Sequence, residues 1–151
     1  MTMNRSFLKT FIGACLVTFA LALCPARASA ETTNKYQATL IWGSDDDKTP
    51  ENYKPVSPEV AKKLKNFKWK NYFVVAKKDI EVVKDQTKVK MSKDCEITLK
   101  QLDNGQVEVT LIGKGKTVGT IKQQLHKGGC LVTGGDASNS TGWFIIIKQV
   151  E

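Results

Sequence analysis

The chain predicts a mainly β fold: an antiparallel sandwich or partly open barrel with one short helix. Three observations carry this. Apolar and polar residues alternate in short runs from Tyr36 to Val150. Turn-forming clusters of Gly, Asn and Asp separate the runs. Helical spacing behind a cap occurs in one stretch, Ser57–Phe67.

The first thirty residues stand apart from this pattern. Arg5 and Lys9 precede an apolar run from Phe11 to Leu23, and Ala28-Ser29-Ala30 supplies the small residues of a cleavage site. This reads as an export signal cut near Ala30. Of 151 residues, the 121 after residue 30 would form a single β-rich domain, 31–151, secreted or periplasmic. Cys15 and Cys24 fit a lipoprotein cleavage site poorly. Cutting at Cys15 would leave most of the apolar run in place, and Cys24 lies between Leu23 and Pro25.

Tyr36, Ala38, Leu40 and Trp42 alternate with Gln37, Thr39 and Ile41, which makes Tyr36–Trp42 the first strand. Gly43-Ser44-Asp45-Asp46-Asp47 ends it, and a polar loop with Pro50 and Pro55 follows. At the helix start, Ser57 can accept from an early backbone N–H. Pro58 suits the first helical position, and Glu59 faces the positive end of the dipole. Val60, Ala61, Leu64 and Phe67 then recur along one face.

Strands follow. Tyr72–Val75 is one, and Ile80 with Val82 marks the next. Val89 and Met91, then Cys95, Ile97 and Leu99, then Val107, Val109 and Leu111 mark three more. Val118–Ile121, Leu131-Val132 and Trp143–Val150 complete the set. At Asp103-Asn104-Gly105 the hairpin register can be deduced. A two-residue turn would mix the two faces. A three-residue loop with a left-handed Gly105 pairs Leu99 with Val109, Ile97 with Leu111, Lys100 with Glu108 and Thr98 with Thr110.

The formal charge is +8, from 23 basic and 15 acidic residues; without Arg5, Lys9 and Arg27 the balance falls to +5. The partners this suggests are an anionic envelope polymer or another exported protein, with nucleic acid not expected. A solvated, solubilising surface is the plainer explanation. Beyond the first thirty residues no apolar run reaches the ~18 residues of a membrane span.

Chemistry is sparsely signalled. Cys95 and Cys130 are the two cysteines beyond the signal, and in an exported chain they are a disulfide candidate. Such a bridge would close a loop of 35 residues, from 95 to 130, worth about 3–4 kcal/mol. The rival is a nucleophilic Cys130 served by His126. His126 is the single histidine, so no His/Cys zinc set is nominated, and no hydrolase or phosphate-loop motif occurs. Asp45-Asp46-Asp47 reads as a solvated loop rather than a calcium site. No catalytic residue, metal or cofactor is assigned. Asn139-Ser140-Thr141 has the form of a glycosylation acceptor.

The candidate binding surface is basic: Lys62, Lys63, Lys65, Lys68 and Lys70, with Trp69 among them as a stacking residue. The alternative for these lysines is an ordinary solvated helix face. Leu40-Ile41-Trp42-Gly43, Phe67-Lys68-Trp69-Lys70-Asn71-Tyr72-Phe73, and Gly134-Gly135-Asp136 with Trp143-Phe144 together resemble a group of small exported bacterial proteins of uncharacterised function. The resemblance implies an exported, mostly β domain and brings no active-site residues. The expected function is a non-catalytic binding or envelope-associated module. The alternative is a small extracytoplasmic enzyme or enzyme inhibitor, with His126 or the 45–47 loop as the enzyme's participants.

Overall fold

The computed structural model describes residues 33–82, 86–137 and 139–151. The export signal read at 1–30, with Cys15 and Cys24, lies outside them. Nine strands and one helix run in the order β1 (Asn34–Ser44), β2 (Lys54–Pro55), α1 (Pro58–Leu64), β3 (Asn71–Val82), β4 (Gln86–Lys90), β5 (Cys95–Gln101), β6 (Gln106–Gly113), β7 (Lys116–Gln124), β8 (Cys130–Asp136) and β9 (Gly142–Gln149) among the described residues. They form two antiparallel sheets, β2-β3-β1-β9-β8 and β4-β5-β6-β7. The sheets pack face to face as a sandwich, not as a closed barrel. Helix α1 covers the outer face of the five-stranded sheet.

Strand β9 explains the architecture. A strand shows alternate residues to opposite faces, so the run Phe144-Ile145-Ile146-Ile147 must bury both. Ile145 and Ile147 enter the core between the sheets, with Ala38, Leu40, Ile97, Leu99, Val109 and Leu131. Phe144 and Ile146 enter a second core under the helix, with Ile41, Leu64 and Trp69. Strand β1 lies between β3 and β9 and divides its residues the same way: Leu40 to the first core, Ile41 to the second.

The helix begins as its sequence requires. The Ser57 hydroxyl accepts from the Val60 N–H at 3.4 Å, and Pro58 occupies the first turn. It is shorter than the expected Ser57–Phe67, ending at Leu64, whose carbonyl accepts from the Tyr72 hydroxyl at 3.2 Å. Trp69 follows and is buried, 7% exposed. It meets Phe144 edge-on at 5.4 Å, and its indole N–H reaches the Ser140 carbonyl at 3.3 Å. Gly142 lies directly beneath the ring. A Cβ there would come within 2.6 Å of Trp69 Cζ3, so the tight packing needs a glycine.

The Leu102–Gln106 hairpin has the three-residue register deduced above. Leu99 pairs with Val109, Ile97 with Leu111, Lys100 with Glu108 and Thr98 with Thr110. Gly105 takes φ 78°. Glu108 forms its ion pair with Lys122 on β7, at 3.1 Å, rather than across the hairpin. One expectation changes in extent. Tyr72–Val75 and Ile80–Val82 are parts of one strand, because Lys77, Lys78 and Asp79 between them pair with Thr39, Ala38 and Gln37 of β1.

The expected Cys95–Cys130 disulfide is not seen: the two cysteines are not joined. Alternation is the reason. Cys95 packs against the core between the sheets. In β8 it is Leu131 that faces that core, so Cys130 and Val132 face the helix side. The five-stranded sheet therefore stands between the two sulfurs, and a bridge could not form without rebuilding it.

Tyr36 ties the two sheets together. Its side chain is buried, and its hydroxyl donates to Gln101 Oε1 of the other sheet at 2.7 Å. Burial raises its phenol above the ordinary 10.0. The folded state then holds this proton more tightly than the unfolded chain. The Tyr36 contribution is fully present below pH 10.0 and is lost as pH rises through the higher folded value. Tyr72 and Lys35 are shifted the same way and add to the alkaline loss.

Two outcomes are expected. Denaturant unfolding of Trp69→Ala should show a loss of about 3–5 kcal/mol, as for other large-to-small changes in a packed core. Unfolding measured from pH 8 upward should show stability falling above about pH 10, less steeply in Tyr36→Phe. An identical alkaline slope in the two proteins would contradict the role given to Tyr36.

Candidate functional site

A cleft of about 810 Å³ with a mainly apolar interior lies between the two sheets. Residues of both β7 and β8 line it. These strands are edges of opposite sheets, so the cleft lies where the sandwich is left open.

Its floor belongs to the five-stranded sheet. Trp42 of β1 and Trp143 of β9 are direct cross-strand partners. They stand two residues from Leu40 and Ile145, and alternation gives them the same inward face. Both are half-buried. Trp42 is braced by Tyr53, edge-on at 6.1 Å, and by Phe73 at 5.9 Å. Trp143 is left uncovered because its partner on β8 is Gly135. A Cβ on Gly135 would stand 3.9 Å from the indole.

The opposite wall comes from β5, β6 and β7. Cys95 contributes a thiol whose ionisation is pushed up by burial and, secondarily, by Glu96. A β-bulge shapes the rim. Leu111 pairs with Gly119 and Ile112 with Thr117, so Val118 is the extra residue. Val118 lines the cleft while 56% exposed. Gly119 also lines the cleft and, as the partner of buried Leu111, has its missing side chain directed inward. A Cβ at Gly119 would meet nothing within 4 Å. The polar rim includes Asp94, Lys114 and Asp136.

The basic run maps elsewhere, with one connection. Lys62, Lys63, Lys65, Lys68 and Lys70 are exposed on and just after α1. Trp69 is not among them on the surface; it is core, as its contacts with Phe144 and Gly142 require. Lys68 crosses to the cleft rim, where its ammonium pairs with Asp136 at 2.9 Å while lying 4.8 Å from the Trp69 ring. Lys63 donates to Cys130 Sγ at 2.9 Å, and this contact raises the lysine's affinity for its proton.

His126 is exposed, and its carbonyl accepts from Gly129 N–H at 2.6 Å in the β7–β8 turn. The side-chain partner of Cys130 is thus Lys63, not His126. The aspartates at 45–47 fasten their loop to the start of β3. Asp45 accepts from the Lys70 N–H at 3.0 Å, and the Asp46 carbonyl from the Asn71 side chain at 2.9 Å. Among the described residues no three acidic, His or Cys side chains come together as a metal site would need.

The cleft was not read from the sequence. Trp42, Trp143 and Gly119 were visible there only as strand residues. Nothing local tells that the indoles are adjacent or that the glycines uncover them. Comparison with known proteins adds no neighbour: no protein-family model, curated protein or solved structure matches the chain.

One expectation concerns the thiols. In protein isolated without reductant and digested under denaturing conditions, peptide mass should place Cys95 and Cys130 in separate, unlinked peptides. A linked Cys95–Cys130 peptide would contradict the separation by the five-stranded sheet.

Proposed function

We propose that the domain is an exported, non-catalytic binding module. Its ligand is an acyl chain or a comparably apolar small molecule, held between the sheets. The observation that carries this is the 810 Å³ cleft floored by the paired indoles of Trp42 and Trp143. That volume lies in the range of small-ligand sites, about 300–1,000 Å³, as does the mix of apolar lining and few polar groups. Two half-buried tryptophans facing an open space hold apolar surface that only an occupant would remove from water. The enzyme reading has less support, because neither His126 nor the 45–47 loop lines the cleft.

The exposed lysines of 62–70 serve a different purpose in this reading. With Trp69 in the core they offer charge without a stacking ring. They suit attachment to an anionic envelope polymer or to an acidic exported protein. Such attachment is screened over about 8 Å at physiological ionic strength. Retention on an envelope extract should therefore fade as salt is raised.

The cleft can be tested by filling it. Titration with a fluorescent fatty acid should be saturable and should change the emission of the tryptophans. Gly119→Trp should weaken binding by at least about tenfold, a loss of ~1.4 kcal/mol or more. It should leave the melting temperature nearly unchanged, because the new side chain enters open space. Absence of saturable binding, or equal binding by Gly119→Trp, would remove the cleft from consideration.

A further inference from the structure

Cys130 occupies a second cavity, separate from the cleft and on the other side of the five-stranded sheet. It measures about 280 Å³ and lies between α1 and the sheet's outer face. Three lysines from three elements line it: Lys63 of α1, Lys77 of β3 and Lys148 of β9. Glu59 is the carboxylate among its walls. Register fixes this convergence. Lys148 is the direct cross-strand partner of Cys130 and of Gln37, and Lys77 is the partner of Thr39. Gln37 and Thr39 both line the cavity. Lys63 completes the ring from above, its ammonium 2.9 Å from the sulfur.

We propose that Cys130 is a thiol-modification site that exchanges with small anionic disulfides and retains half of each as a mixed disulfide. Reactive cysteines sit in partly exposed, electropositive surroundings, and Cys130 has both features. The lysines act on the reagent. They draw a negatively charged disulfide into the cavity. They also stand where negative charge develops on the departing sulfur.

The exchange is balanced. Cys130 gives its proton to solvent and its sulfur attacks one sulfur of the disulfide. The new Cys130 S–S bond forms as the old one breaks. The other half leaves as a thiolate, which takes up a proton from water. One disulfide is consumed and one is made, so no further oxidant is needed. This inference does not rest on the cleft or on its ligand.

Cys95 is the internal control. It is also half-buried and lines a cavity, but it packs on the apolar core with Glu96 beside it. The reduced full chain would be treated with dithiobis-nitrobenzoate, which is anionic, and with dithiodipyridine, which is neutral. Labelling would be followed peptide by peptide, which separates the four cysteines. With the anionic reagent, Cys130 should react at least about tenfold faster than Cys95. Raising salt from about 20 to 500 mM should slow Cys130 severalfold, because the field of the lysines is screened. Lys63→Gln should slow it likewise, and Lys63→Arg should restore it. With the neutral reagent, salt should make little difference. Equal rates at Cys130 and Cys95 would overturn the assignment. So would a Cys130 rate indifferent to Lys63→Gln and salt, or the same salt effect with the neutral reagent.

Discussion

The fold depends on the two-sided burial of β9 and β1. A strand with no polar face is unstable at the surface of a sandwich, since one row of large side chains would stay in water. Covering that row is the task of α1 and the segment after it. Leu64 and Trp69 lie over Ile41, Phe144 and Ile146, while the four-stranded sheet covers Ile145 and Ile147. The helix is seven residues long, too short to be stable by itself. Its packing holds it in place, and the Ser57 cap and the Tyr72–Leu64 hydrogen bond fix its ends.

The same alternation decides where chemistry can occur. Any residue of β1, β8 or β9 belongs to the inner or the outer face, and moving by one position exchanges them. Thus Trp42 and Trp143 look into the cleft, while Cys130 looks out toward lysines. The two cavities are consequently unlike. The inner one is apolar and rimmed by both charges; the outer one is small and cationic. The cleft stays open because its edges are underfilled. Gly119 and Gly135 carry no side chain toward it, and the bulge at Val118 bends β7 at the rim. A bulge and flanking lysines are also the usual ways in which an exposed edge strand avoids pairing with another chain.

Local patterns in the sequence were enough for most strands, the helix start and one hairpin, but not for β2 or for the Thr133–Asp136 half of β8. The faces of Ile97, Leu99, Val109 and Leu111 and the chemistry of Asp103-Asn104-Gly105 admit a single consistent register, so long-range information was not required. The same reasoning failed where context outweighs pattern. Lys77-Lys78-Asp79 looks like a break between strands, yet pairing with β1 keeps it extended. Trp69 sits among lysines, which suggested a surface. Its burial follows from Gly142, 73 positions later, and from Phe144, which no local window contains. That the structure shows no Cys95–Cys130 bridge was hidden for a related reason: parity within one strand was legible, but which face of β8 meets which core was not.

The basic segment touches both cavities. Its lysines are exposed, as a solvated helix face requires, yet two are committed to specific contacts. Lys63 reaches the thiol of Cys130, and Lys68 reaches Asp136 at the cleft rim. These contacts bind the segment after β2 to β8, the outermost strand of the same sheet. At such exposure each is worth little in stability, within about 1 kcal/mol. Their consequence is positional. Lys63 sets the charge around the outer thiol, and Lys68 neutralises a carboxylate beside the opening of the cleft. A paired Asp136 costs less to strip of water than a bare carboxylate would, so the pair makes this rim the easier one to cover.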